Sequence, residues 1–177
     1  MKNSLLSLLF VFIAATGCNK EKPLCAGCGN PVIYQGEITA RTKDSVSIES
    51  AFALFDTLNL PIDMIGYFSY HSALPADSMA SIKKYLKSRP YIDSNFKVGI
   101  NAIVSPTVIN INIGFGAMNI ASQQDWIALK TQMMLTDNND SMKVFRIQVP
   151  KGQEQSWADS LNKYSIIKYA GPIMLAP

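Results

Sequence analysis

Residues 108–115 read VININIGF, and the alternation in this stretch decides the fold class. Successive side chains of an extended strand point to opposite faces, so every large apolar residue after Val108 faces the same way. Those residues are Ile109, Ile111, Ile113 and Phe115, and the positions between them are Asn110, Asn112 and Gly114. Such alternation predicts a half-buried antiparallel strand with one face on a core.

Other stretches on either side show the same period. Residues 96–104 alternate and are separated from the first strand by Ser105-Pro106, which predicts a hairpin. Phe145–Val149 predicts another strand, which Pro150 ends. Further strands are predicted at Tyr34–Ala40 and Met64–His71, and Ile166–Leu175 is the predicted closing strand.

Four stretches between the strands have helical periodicity. The first follows Ser47, a predicted N-cap, and the second follows Pro75. The third follows Ser122-Gln123-Gln124-Asp125, whose spacing is that of a capping box. The fourth contains Trp157, Leu161 and Tyr164.

The predicted element order is β-α-β-α-β-β-α-β-α-β. Its middle six elements, from Met64 to Val149, spell β-α-β-β-α-β, the ferredoxin-like arrangement. Elements also recur at an offset of about 75 residues, which suggests a degenerate duplication. We therefore expect an α+β fold, a two-layer sandwich with a ferredoxin-like core.

Composition indicates one folded domain. The chain has 177 residues, of which 48% are hydrophobic and 16% are charged, so it is not a disordered chain. Its net charge of +3 includes Lys2 and is too small to imply nucleic acid as a partner. The most basic local stretch, with Lys83, Lys84, Lys87 and Arg89, is interpreted as the solvated face of a helix.

The first eighteen residues resemble the signal of a bacterial lipoprotein. Lys2 precedes an apolar run from Leu5 to Ala15, and Ala15-Thr16-Gly17 stands directly before Cys18. The resemblance implies that residues 1–17 are removed as a signal peptide and that Cys18 carries the lipid. Residues 18–31 then form a tether and residues 32–177 the domain. Because Asn19, and not Asp, follows the cysteine, the resemblance favours the outer membrane.

Cys25 and Cys28 leave three interpretations open. A thiol pair in an exported protein most often forms a disulfide, which is the favoured prediction. A thioredoxin-type redox site needs a helix at its second cysteine, and Gly29-Asn30-Pro31 follows instead. A zinc site needs two further ligands, and the chain has one histidine, His71. His71 itself is predicted to be a hydrogen-bonded structural residue at the end of a strand.

No motif of a catalytic or cofactor site stands out in the chain. Gly114-Phe115-Gly116 lacks the remaining glycine of a dinucleotide loop, and Asp137-Asn138-Asn139-Asp140 lacks the glycine and closing glutamate of a calcium loop. The acidic stretch is predicted to be a turn. We therefore expect a non-catalytic protein without a cofactor.

The C-terminal residues resemble the propeptides of subtilisin-type proteases. The resemblance lies in Lys143–Glu154, in Trp157 and Leu161, and in Ile166–Pro172. That family has a ferredoxin-like fold and inhibits the protease by threading its C-terminal tail through the cleft. The resemblance implies an inhibitor tail formed by Tyr169, Ala170, Gly171, Pro172, Ile173, Met174 and Leu175.

These features predict a lipid-anchored envelope protein, held at the membrane through the lipid on Cys18, that binds another macromolecule. A propeptide-like protease inhibitor is the first alternative. The second is a thiol redox or metal-binding protein that uses Cys25 and Cys28. The three predictions differ in the partner, which is another macromolecule, a protease, or a redox or metal species.

Overall fold

The structure, a computed structural model, describes residues 32–100, 108–138 and 142–175. Its strands are β1 (Val32–Thr42), β2 (Ile62–Ser72), β3 (Lys97–Ile100), β4 (Ile109–Phe115), β5 (Leu135–Asp137), β6 (Val144–Gln148) and β7 (Ile167–Leu175). Its helices are α1 (Ile48–Thr57), α2 (Met79–Lys87), α3 (Ile120–Gln132) and α4 (Glu154–Leu161), with a short 3-10 helix at Ala76–Ser78. The predicted mixed α+β class is confirmed.

The strands form one seven-stranded sheet, and every pairing in it is antiparallel. The strand order is β3-β4-β2-β6-β1-β7, and β5 pairs with the end of β2. β3 and β4 pair as the predicted hairpin, although its connection at Ser105-Pro106 lies outside the described residues. β5 was not predicted, since three residues are too few to display a period.

The helices cover one face of this sheet. Each helix joins two parallel strands that have a third strand between them, and such connections are right-handed, which directs all four helices to the same face. The Phe55 ring of α1 packs on Phe145 of β6 at 5.1 Å, and the Trp126 ring of α3 packs on Phe115 of β4 at 4.8 Å. The core therefore lies between the sheet and the helix layer.

The alternation of residues 108–115 matches the alternating burial of side chains along β4. Ile109, Ile111 and Ile113 are fully buried and Phe115 is 1% exposed. Asn110 and Asn112 face away from the core. The prediction of an inward apolar face is confirmed.

Helix caps agree with the sequence in one case and differ in another. The side chain of Ser47 accepts a hydrogen bond from the Ser50 amide, so Ser47 is the N-cap of α1 as predicted. The prediction that Ser122 caps α3 is wrong. Asn119 is the N-cap, because its Oδ1 accepts a hydrogen bond from the Ser122 amide at 2.9 Å, and Ser122 lies inside the first turn.

Candidate functional site

The face of the sheet opposite the helices, here called the open face, is a candidate binding surface. Residues that pair directly across strands share a face. His71 pairs with Asn110, Met64 pairs with Arg146, and Arg146 pairs with Thr39. The open face thus runs from β3 to β7, and its residues include Thr39, Met64, Tyr67, His71, Asn110, Asn112, Val144, Arg146 and Tyr169.

One half of the open face is polar. His71 Nδ1 lies 2.6 Å from Asn110 Oδ1, which confirms the prediction that His71 is hydrogen-bonded in a strand. Close by, a shallow hollow is lined by Tyr67, Asn95, Lys97 and Asn112. Burial and a hydrogen bond to Asp93 raise the pKa of the Tyr67 hydroxyl. This half presents neutral donors and acceptors to a partner, together with one cation, Lys97, which pairs with Asn112 across β3 and β4.

The serines near His71 do not form a nucleophilic site with it. Ser72 points to the opposite face, where its buried Oγ donates to the Met133 carbonyl at 2.6 Å. Ser69 shares the open face with His71, as its pairing with Asn112 requires. A catalytic triad needs a base and an orienting group that converge on one nucleophile. Asp77 lies in the 3-10 helix before α2, on a separate element from His71.

Two tyrosines lie flat on the open face over glycines. A Cβ atom on Gly114 would meet the Tyr67 ring at 3.3 Å, and a Cβ on Gly171 would meet the Tyr169 hydroxyl at 2.1 Å. Both glycines are buried although they sit on the outward side of their strands. The missing side chains let each ring cover the backbone, so both tyrosines present a broad aromatic surface.

The other half of the open face has an apolar hollow with one arginine. Its lining consists of Thr39, Met64, Val144, Arg146 and residues 172–174. Arg146 forms ion pairs with Glu37 at 3.5 Å and with Asp63 at 3.8 Å. The alternation of β6 predicted that Arg146 points away from the core. It could not predict Met64 and Thr39 as its neighbours, because these come from distant strands.

The residues of the predicted inhibitor tail, Tyr169–Leu175, lie in β7. This strand forms one edge of the sheet and pairs with β1, Val32 with Leu175 and Ala40 with Ala170. The segment is therefore part of the sheet for most of its length. Its outer edge has no strand partner within the described part of the chain. Met174 and Leu175, 56% and 45% exposed, form an apolar end to this strand.

Four charged side chains form a network that links α1, α3, β5 and the residue before β6. Lys130 contacts Glu49 at 2.7 Å and Asp137 at 2.8 Å, and Asp137 contacts Lys143 at 3.2 Å. Lys143 is only 1% exposed, so its charge depends on Asp137. Burial disfavours the charge on Lys130, but its bonds to Asp137 and Glu49 outweigh this and raise its pKa. The network carries two positive and two negative groups and no net charge.

The prediction that residues 137–140 form a turn stays a prediction, because only residues 137 and 138 of that stretch are described. Asp137 is the last residue of β5, where it pairs with Tyr70, and residues 139 and 140 lie outside the described part. No sequence signal joins Glu49 of α1, Lys130 of α3 and Lys143, which directly precedes β6. Their association appears only in the folded chain.

Cys18, Cys25 and Cys28 lie outside the described residues, so the lipid, disulfide, redox and zinc interpretations stay predictions. Within the described ranges, no three His, Cys, Asp or Glu side chains cluster as metal ligands would. The helices of that same part include none that is long and apolar enough to span a bilayer.

Comparison with known proteins gives no relative. No family model matches the chain, and no curated protein or solved structure is significantly similar to it. Any assignment of function therefore rests on the residues themselves.

Proposed function

We propose that this chain is a non-catalytic lipoprotein of the bacterial envelope that binds another protein through its open face. The anchor is the lipid on Cys18 in the outer membrane, which the layout of residues 1–18 supports. The tether formed by residues 18–31 connects it to the domain. The binding surface is the open face around Arg146.

The observation that carries protein binding is the make-up of this face. A sheet face that meets only water is expected to be polar. The open face instead exposes Met64, Tyr67 and Tyr169, with 38%, 46% and 56% of their surfaces accessible. Methionine, tyrosine and arginine are enriched in protein interfaces. The apolar hollow beside Arg146 would receive a side chain of the partner.

We further propose a ferredoxin-like core that arose by duplication. The order β3-β4-β2-β6 supports the first part, because it interlocks two β-α-β units. Exchange of β1 with β4, β2 with β6 and β3 with β7 reproduces the whole strand order in reverse, as two-fold related halves require. Asn59 and Met134, which have positive φ directly after α1 and α3, occupy matching positions in the two halves.

Protein binding is tested by two aspartate substitutions on opposite sides of the molecule. Met64 lies on the open face and Ile127 on α3, and the two are 38% and 36% exposed. The anchored protein is recovered from its own envelope and the bound proteins are identified by mass spectrometry. We expect the partner to be lost with Met64→Asp and retained with Ile127→Asp. A partner that remains bound to Met64→Asp, with both variants folded, contradicts binding at this face.

A second candidate function is inhibition of a subtilisin-type protease. The observation that favours it is the β6-α4-β7 unit, which has the strand, Pro and Gly turn, helix and strand of the propeptide resemblance. In this proposal the end of β7 would leave β1 and add to the protease as an extended peptide.

The test of inhibition compares the full chain with one that ends at Pro172 on a panel of subtilisin-type proteases. The shorter chain loses pairs at the exposed end of β1 but keeps the buried Ile167 and Ala170. We expect only the full chain to slow a protease at micromolar concentration, while both melt at similar temperatures. Digestion of the full chain by every protease would leave the resemblance as shared architecture.

A further inference from the structure

A basic groove runs between α2 and the edge strand β3. It is lined by Lys83, Lys84, Lys87, Phe96, Lys97 and Val98. Ile82 and Leu86 of α2 are buried against the sheet, which turns the lysines of this helix outward. Lys97 comes from β3, the next element along the chain. The sequence indicated Arg89 as the fourth cation, and the fold replaces it with Lys97.

The four lysines of this groove lack acidic partners among the described residues. Arg89, which follows α2, forms an ion pair with Asp125 at 3.0 Å and does not line the groove. Six described cations form ion pairs, namely Arg41, Arg89, Lys130, Lys143, Arg146 and Lys168. Four of the seven described cations without such a pair line this one groove. The groove is therefore a concentrated positive site.

The floor of the basic groove is apolar. Phe96 and Val98 are half-buried and pack against the core, and Tyr85 of α2 is 39% exposed beside the lysines. Lysine stems cover apolar surface while their ammonium groups reach outward. Tyrosine and lysine together are typical of residues at a membrane interface. The groove thus combines cations with apolar contact, as the headgroup region of an anionic bilayer requires.

In the proposed duplication, α4 is the counterpart of α2, and the positions that correspond to the lysines of α2 carry no positive charge. Lys83, Lys84 and Lys87 correspond, at the offset of about 75 residues, to Ala158, Asp159 and Asn162. Asp159 accepts a hydrogen bond from Gln155 at 2.8 Å. The basic groove is therefore a property of this sequence and not of the architecture.

We propose that the basic groove binds the phosphate-bearing surface of an anionic bilayer and so orients the anchored domain. This proposal rests on the proposed function, in which the lipid on Cys18 keeps the domain near a membrane. The thirteen residues between Cys18 and Val32 span at most about 45 Å when extended, and the domain is about 40 Å across. The tether therefore lets any side of the domain reach the bilayer, and the groove selects one.

The experiment uses a chain that begins at Asn19 and so carries no lipid. It keeps the whole core, since the buried hydrophobic residues lie between Ile38 and Ala170. Binding is measured by co-sedimentation with vesicles of phosphatidylcholine alone or mixed with phosphatidylglycerol. The K83Q/K87Q variant is compared with K151Q/K163Q, which removes the same charge from exposed lysines elsewhere.

We expect binding to the anionic vesicles only, and loss of it at high salt. K83Q/K87Q should weaken binding about 30-fold, because each lysine at an anionic surface contributes about five-fold. K151Q/K163Q should change it by less than about three-fold. Thermal melting checks that both variants stay folded, as expected for exposed lysines.

Three results would overturn the proposal: equal binding to both kinds of vesicle, equal loss in both double variants, or displacement by glycerol phosphate, which would indicate a site for a small anion. The vesicle assay does not depend on the lipid or on the open face. Failure of the Cys18 or Met64 predictions therefore remains distinguishable from failure of the groove.

Discussion

Glu154 joins two distant parts of the chain through one carboxylate. Its Oε1 accepts hydrogen bonds from the amides of Gly36, at 2.7 Å, and Gly152, at 3.0 Å. Both glycines have positive φ, 87° and 82°, which other residues rarely adopt. The carboxylate thus holds the irregular part of β1 and the turn before α4 in one arrangement.

The hydrogen bonds of Glu154 predict an effect of pH on stability. The amides of Gly36, Glu154 and Gly152 lower the pKa of this carboxyl below its ordinary value of 4.5. A lowered pKa stabilises the fold above pH 4.5, and this contribution is lost as the pH falls through the folded-state value. We expect Glu154→Gln to be less stable than the wild type at neutral pH and to lose less stability on acidification. Urea unfolding from pH 6 to about pH 3 measures this difference, and parallel curves for the two proteins would contradict it.

Ile111 and its neighbour Asn110 test the two faces of β4 at single positions. Ile111 is fully buried, so Ile111→Asp places an unpaired charge in the core and should cost about 4 kcal/mol or unfold the domain. Asn110→Asp keeps the oxygen that contacts His71 and should change stability by less than about 0.5 kcal/mol. Thermal and urea unfolding compare the two, and equal losses would contradict the assignment of the faces.

At the level of elements, the cap of α3 shows how a local pattern misleads. Ser122-Gln123-Gln124-Asp125 has capping-box spacing, but the helix begins at Ile120. Met118 is held in the core at 2% exposure and its amide bonds to the Ile62 carbonyl, so the chain turns at the next residue, Asn119. Tertiary contacts before the helix therefore choose between two residues that could both serve as caps.

The two capping candidates of α3 give a direct comparison. Asn119→Ala removes the acceptor of the Ser122 amide and should lower stability by about 1 kcal/mol. Ser122→Ala places a good helix former inside the first turn and should change stability by less than about 0.5 kcal/mol. Urea unfolding of both variants provides the measurement. A larger loss for Ser122→Ala would return the cap to the position that the sequence indicated.

At the level of the whole molecule, the proposed anchor and surfaces act together. The open face would meet a protein partner, while the basic groove lies between α2 and β3 at the edge of the sheet. Lys97 borders both the groove and the hollow beside Tyr67. A domain held by its groove would leave accessible the half of the open face around Arg146, which lies on the other side of β2. The roles proposed for both surfaces in the cell assume that Cys18 places the chain at a membrane.

Processing at Cys18 provides the test of that anchor. We expect Cys18→Ala to accumulate as the longer precursor and to take up no labelled fatty acid, because the modified thiol is missing. Gel mobility and labelling of the wild type and variant measure this. Label that persists on the variant would refute the lipoprotein assignment.

The sequence by itself determined the strands and helices other than β5, and which side of β4 and β6 is buried. Residues 108–115 and 145–149 carry their inward face in their own period, since burial on one side selects apolar residues at every second position. The layout of residues 1–18 predicts lipidation at Cys18, and this stays a prediction because these residues lie outside the described part.

Only the tertiary structure decided which distant residues meet. Thr39, Met64 and Arg146 come from three strands that are far apart in the chain. Lys143 and Asp137 form a buried pair that neither position suggests alone. Strand order sets these neighbours through pairing between segments far apart in the chain. Local periodicity predicts the face of the sheet on which each side chain lies, but it does not predict which strand pairs beside it.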